Sequence, residues 1–205
     1  MKIKDFTLTA IFISIILLFA FTPIGFIHLG VIKATLIHIP VIIGSIILGP
    51  KIGAILGLTF GFTSVITNTI APSLLSFAFS PAIPVLGTDQ GSFWALVVAL
   101  VPRMIIGIIP YFIYRFFKQK LSNRIQEKAA LFITGLVSTV IHTFLVLGAI
   151  ALLFTDAYAQ AIDATSGSAI FIAVMTVFLS NGVGEALVAA FIVTMIIPPL
   201  LRISK

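Results

Sequence analysis

Residues 129–154, AALFITGLVSTVIHTFLVLGAIALLF, run for 26 positions without a charge. Roughly 20 consecutive apolar residues bridge a bilayer as an α-helix, so this stretch reads as a membrane span. Working outward from it, charged residues divide the rest of the chain into further apolar runs at about 6–22, 34–49, 51–71, 93–116 and 168–197. They are read as spans because an unpaired charge is costly inside hydrocarbon. The runs lack the alternation of ten-residue barrel strands, so all six are expected to be helices. The expected fold class is an all-α membrane protein with six transmembrane helices, forming a single integral-membrane domain over residues 1–205.

The composition of the 205 residues agrees with this reading, since 60 % are hydrophobic and only 9 % charged. Such a balance excludes a water-soluble globule, and six crossings leave no room for an extramembrane catalytic domain. The formal charge is +6. In so apolar a chain that excess is explained by membrane orientation rather than by nucleic acid, and no DNA or RNA partner is expected. The absence of cysteine removes disulfides, thiolate metal sites and cysteine nucleophiles.

Lys2 and Lys4 precede an apolar stretch, as in a signal peptide. No small-residue cleavage site follows, and Thr22-Pro23-Ile24-Gly25 leads into more membrane sequence, so the stretch is read as the first span. Gly30 falls in the loop after it. Six crossings put both termini on one side. Lys2, Lys4, Lys51, Arg115, Lys118, Lys120, Arg124, Lys128, Arg202 and Lys205 fall on that side, and only Lys33 falls on the other. Ten against one places both termini in the cytoplasm of a multi-pass cell-membrane protein. Asp89, Asp156 and Asp163 then face outward.

Two ionisable residues stand where they cost energy. Arg103 lies roughly 15 Å into its span at 1.5 Å per residue, where insertion costs about 2.5–3.5 kcal/mol. Glu185 is the only acid inside any span. Two readings stay open: a buried ion pair that fixes helix packing, or a cavity in which the planar guanidinium takes a carboxylate or phosphate. His38, Asn68, His142, Thr143, Ser180 and Asn181 share the outward half of the spans. Each alone is accounted for by an interhelical hydrogen bond. Together they would suit a small polar molecule with hydroxyl, amide and carboxylate groups. Phe77, Phe79 and Trp94, in or beside the loop 72–91, are read either as an apolar lid or as interfacial anchors.

Backbone residues sharpen the pattern. Pro102 would free the carbonyl of Val98 close to Arg103, Pro40 that of Leu36 near His38, and Pro110 that of Ile106. Gly49, Gly53, Gly57 and Gly61 form a smooth stripe expected to pack internally. Ala10 and Ser14 make a small-xxx-small pair on the first span, open to reading as bundle packing or as a docking surface. Pro198 and Pro199 are expected to end the last span.

The chain has no GxxxxGK[ST] phosphate loop and so cannot itself power transport with ATP. HExxH, GxSxG and Cys/His clusters are absent, and His28, His38 and His142 lack ligand spacing. No enzyme, metal or cofactor is expected. Six spans without an obvious inverted repeat suit a binding subunit that depends on partners better than a self-sufficient transporter.

With six spans, the pair Ala10 and Ser14, and the segment His38-Ile-Pro-Val-Ile-Ile-Gly-Ser-Ile-Ile-Leu-Gly-Pro-Lys51, nearly the whole chain resembles the substrate-binding S component of an energy-coupling factor vitamin transporter. The resemblance implies that the first helix docks through a motif usually written Ala-xxx-Ala, here with Ser14 as the second small residue, on a transmembrane coupling subunit. That subunit is joined to two cytoplasmic ATPases. It further implies that a vitamin is held near the outer surface by helices four to six, beneath the loops after helices one and three, and is released inward when the loaded subunit topples. Arg103, His142, Asn181 and the loops around Lys33 and Phe79 fall in those regions. The segment at His38 is most similar to members assigned to pantothenate, with pyridoxine or hydroxymethylpyrimidine next and folate third. A non-transport structural subunit is the alternative from another class.

Overall fold

The computed structural model describes residues 3–29, 32–119, 123–162 and 166–204, without the side chains of 26–34, 124 and 202–204. Lys2, Gly30, Lys120, Asp163 and Lys205 lie outside the described residues, as do the side chains of His28, Lys33, Arg124 and Arg202. The molecule is a helical bundle built from α1 (Ile3–Phe21), α2 (His38–Leu48), α3 (Pro50–Ile70), α4 (Trp94–Lys118), α5 (Arg124–Leu153), the short α6 (Thr155–Ala161), α7 (Gly167–Val177) and α8 (Val183–Ser204). Five helical stretches are long and apolar enough to cross a membrane: α1, α3, α4, α5 and the run through α7 and α8.

The expected span at 34–49 comes out differently. Its first residues belong to an antiparallel hairpin of β1 (Phe26–Leu29) and β2 (Ile32–Thr35), in which Phe26 is level with Thr35 and His28 with Lys33. Only 11 residues remain for α2. At 1.5 Å per residue that is roughly 16 Å, short of the ~30 Å hydrocarbon core. Pro40 explains part of the difference, because its ring and missing N–H are tolerated in the first turn of a helix. The expectation that Pro40 frees the Leu36 carbonyl fails for the same reason. Leu36 lies before the helix, and its carbonyl accepts the Ile39 N–H at 3.0 Å. A half-length helix that starts in the bundle interior leaves space above its first residue, His38.

Gly49 also departs from the expected stripe. It takes φ +89°, a conformation that L side chains rarely adopt, and turns the chain from α2 into α3. The remaining stripe packs as expected. A Cβ on Gly53 would lie 1.9 Å from the Gly107 carbonyl oxygen, and one on Gly57 would lie 2.1 Å from that of Arg103. Gly61 faces Ala99 and Leu100 in the same way. Thus α3 and α4 run antiparallel, nearly backbone to backbone, with Arg103 at the middle of the contact.

The opposite end of the sheetless bundle wall is less regular. Residues 178–182 form one π-turn, widening the helix between α7 and α8. The chain then continues through Pro198 and Pro199 to Ser204 rather than stopping. Proline removes a donor but its φ fits a helix, and membrane helices tolerate it where neighbours satisfy the freed carbonyls. Beyond the end of α5, α6 folds over the loop 72–91, where Phe77, Phe154 and Tyr158 make a second apolar cluster beside the larger one around α2.

Candidate functional site

The cavity lies above the start of α2, where the two apolar clusters meet, and measures about 240 Å³. His38 enters it from α2, Phe60 from α3 and Arg103 from α4. His142, Thr143, Val146 and Leu147 line it from α5, while Val177, Asn181, Gly182 and Glu185 close the far side. Thr35 of the hairpin completes the rim.

Arg103 is 6 % exposed. Its Nη1–H donates to the Val98 carbonyl at 2.6 Å, the carbonyl that Pro102 leaves without its helical donor. The guanidinium is held between two rings, 4.8 Å from the centroid of Phe79 and 5.5 Å from that of Phe60. Each such contact contributes about 0.5–2 kcal/mol. Its Nε has no hydrogen-bond partner among the described residues. Beside it, His142 Nδ1–H donates to the Pro102 carbonyl at 3.2 Å; since a carbonyl only accepts, this nitrogen carries the proton. The rings of His142 and His38 stack at 6.3 Å, and His38 Nε2 is likewise buried and unpartnered.

Arg103 and Glu185 do not pair with each other. Glu185 Oε1 accepts the backbone N–H of Thr35 at 2.7 Å, which ties the hairpin to α8. The ion-pair reading fails because each group is taken by a different partner, Arg103 by the Val98 carbonyl and Glu185 by the Thr35 N–H. The cavity therefore holds a cation and an anion with neither neutralising the other. Orphaned buried donors beside such a space are the arrangement expected of a binding site awaiting a polar ligand.

The expected site residues divide accordingly. His38, Arg103, His142, Asn181 and Glu185 line the cavity, and Phe79 touches Arg103 from the loop. Asn68 lies elsewhere: its Nδ2–H donates to Ser64 O at 2.8 Å and its Oδ1 accepts Ser76 Oγ–H at 2.7 Å, pinning the loop. Trp94 is 56 % exposed at the start of α4 and is not among the lining residues. Phe60 and Thr35 escaped sequence reasoning. Phe60 follows Gly57 by three residues and so shares the face turned to α4, a signal available in the spacing. A backbone donor such as Thr35 leaves no signal at all. On α1, Thr9, Phe12, Ile16 and Ala20 are buried, whereas Ala10 and Ser14 are exposed. Packing within the bundle is therefore not what this small pair serves. The Ser14 hydroxyl donates back to Ala10 O at 2.9 Å, leaving a smooth apolar surface.

A bundle of membrane-length helices with a buried guanidinium and two buried histidines beside a cavity defines a membrane protein with room for a small solute. The chain belongs to the family of substrate-specific components of ECF transporters, whose model, "ECF transporter, substrate-specific component", matches residues 4–197. It is also 36 % identical over 203 residues to the pantothenic acid transporter PanT of Lactococcus lactis subsp. cremoris (strain MG1363), covering 98 % of this chain and 95 % of that protein.

Proposed function

We propose that this chain is the pantothenate-capturing subunit of an ECF-type uptake transporter. The observation that carries the reading is the buried guanidinium of Arg103, fixed between Phe60 and Phe79 with its Nε unpartnered beside the cavity. A carboxylate is the ligand group such a fork recognises. Pantothenate supplies one, together with an amide and two hydroxyls for His38, His142, Asn181 and Glu185. The likeness to a pantothenic acid transporter supports the same choice.

In this reading the chain is one integral-membrane domain that crosses six times. The hairpin strand β2 and the short α2 together make the second crossing, and both termini are cytoplasmic, as the basic end with Lys51, Arg115, Lys118 and Lys128 suggests. Substrate enters from outside under the hairpin and the loop bearing Phe79. Ala10 and Ser14 dock on a transmembrane coupling subunit, two cytoplasmic ATPases supply the energy, and toppling in the bilayer releases substrate inward. The exposed small pair on α1 supports that docking face.

Calorimetry on the detergent-purified chain tests the site. Pantothenate binds the wild type, and Arg103→Ala weakens binding by about 2–5 kcal/mol, roughly thirtyfold or more, while the fold persists. Undiminished affinity in a folded Arg103→Ala variant removes this residue from the site. Ala10→Trp is expected to abolish co-purification with the coupling subunit and leave vitamin binding intact.

A further inference from the structure

Going beyond the carboxylate end, we infer that Glu185 is the specificity-determining residue of this cavity: one carboxylate oxygen holds the hairpin, and the other reads the hydroxyl end of the ligand. The inference rests on the pantothenate reading and assigns the ligand a direction, with its carboxylate at Arg103 and its hydroxyls at Glu185.

An acid in a cavity that takes up an anion raises the energy of the complex unless the two negative groups are kept apart. The fold keeps them apart, because Arg103 on α4 and Glu185 on α8 make no ion pair and are held by different partners, Val98 and Thr35. A carboxylate is acceptor-only and offers about four lone-pair directions. The Thr35 N–H takes one of these, at Oε1. Thr35 thereby fixes the orientation of the group, through its N–H and its side chain, and since Glu185 lines the cavity the remaining lone pairs meet the ligand without further ordering. An oriented acceptor selects ligands that bring O–H or N–H donors, and it rejects those that bring a second acceptor or a bare hydrocarbon end.

Calorimetry with three ligands on wild type and Glu185→Gln decides the matter. Glutamine keeps a carbonyl oxygen for the Thr35 N–H, so the hairpin tie survives, and thermal unfolding of the variant verifies its fold. The ligands are pantothenate, N-(3,3-dimethylbutanoyl)-β-alanine, which lacks both hydroxyls, and β-alanine, which keeps the carboxylate but carries a cationic amine. The wild type is expected to prefer pantothenate over the dideoxy compound by about a hundredfold or more. Glu185→Gln lowers that ratio about tenfold by weakening pantothenate alone, since a hydrogen bond to a charged acceptor is roughly twice as strong as one to a neutral acceptor. Equal weakening of both amides, or an unchanged ratio, overturns the assignment and leaves Glu185 as a tether for the hairpin. Tighter binding of β-alanine than of the dideoxy compound also overturns it, because Glu185 would then read a cation. Failure of the folded wild type to bind pantothenate overturns the proposed function and this assignment with it. Binding with an unchanged ratio overturns the assignment alone.

Discussion

The two walls of the cavity are built in opposite ways. On the side of α3 and α4, Gly53, Gly57 and Gly107 bring the backbones together until no Cβ fits between them. On the side of α7 and α8 the helix is widened by a π-turn, and Leu179 and Ser180 within it are exposed. The first wall carries Arg103, the second Asn181 and Glu185. A wall of touching backbones cannot adjust by changing rotamers, so it suits the group whose burial is most costly. A π-turn re-aims side chains for the addition of one residue, and such turns are frequent at functional sites. The contrast makes the contact at Arg103 the rigid one and that at Asn181, within the π-turn, the adaptable one.

The sharpest way to break this comparison is Gly57→Val. The new side chain would meet the Arg103 carbonyl oxygen, with its Cβ 2.1 Å away, at the level of the guanidinium. The variant is expected to lose about 3 kcal/mol of stability, seen as a lowered unfolding temperature, together with ligand binding. An unchanged melting curve would mean that this wall can yield after all. Next is Asn68→Ala, which leaves the buried Ser76 hydroxyl without its acceptor and loosens the loop that carries Phe79. The expected loss is about 1–3 kcal/mol, with a smaller drop in affinity because Phe79 no longer holds Arg103 firmly.

Deleting Ser180 addresses the other wall. Removal of one residue from the π-turn restores a regular helix, so the fold is expected to persist while affinity falls about tenfold as Asn181 moves. Deleting Ile192 within regular α8 instead rotates everything before it by roughly 100° and should prevent folding. Equal damage from the two deletions, judged by yield of folded protein, would show that the π-turn has no special tolerance. The smallest effect belongs to Trp94→Phe. An exposed aromatic at the start of α4 should change affinity and stability by less than about 0.5 kcal/mol.

Much of this was legible in the residues. Long apolar runs announced α1, α3, α4 and α5, since each needs only a local count of apolar positions. The glycine repeat announced a close helix contact, and Pro102 announced the free carbonyl that Arg103 uses. The second run was apolar as expected, but apolarity alone did not show that its helix would be only 11 residues long. It was the hairpin strand β2, which takes the first residues of the run, that shortened the helix. The run 168–197 was helical as expected but did not stop at Pro198 and Pro199, and nothing in its composition marked the π-turn.

What the sequence by itself determined is which stretches enter hydrocarbon and that a guanidinium goes with them, because transfer energy is a sum over neighbouring residues and needs no partner. What only the tertiary structure decided is whom that guanidinium meets. Depth along the spans suggested Glu185, whereas the packed helices gave Arg103 to Val98, Phe60 and Phe79, and Glu185 to Thr35. Contacts between helices depend on rotation and offset, which are set where glycines let backbones touch, and no single stretch of the chain encodes that.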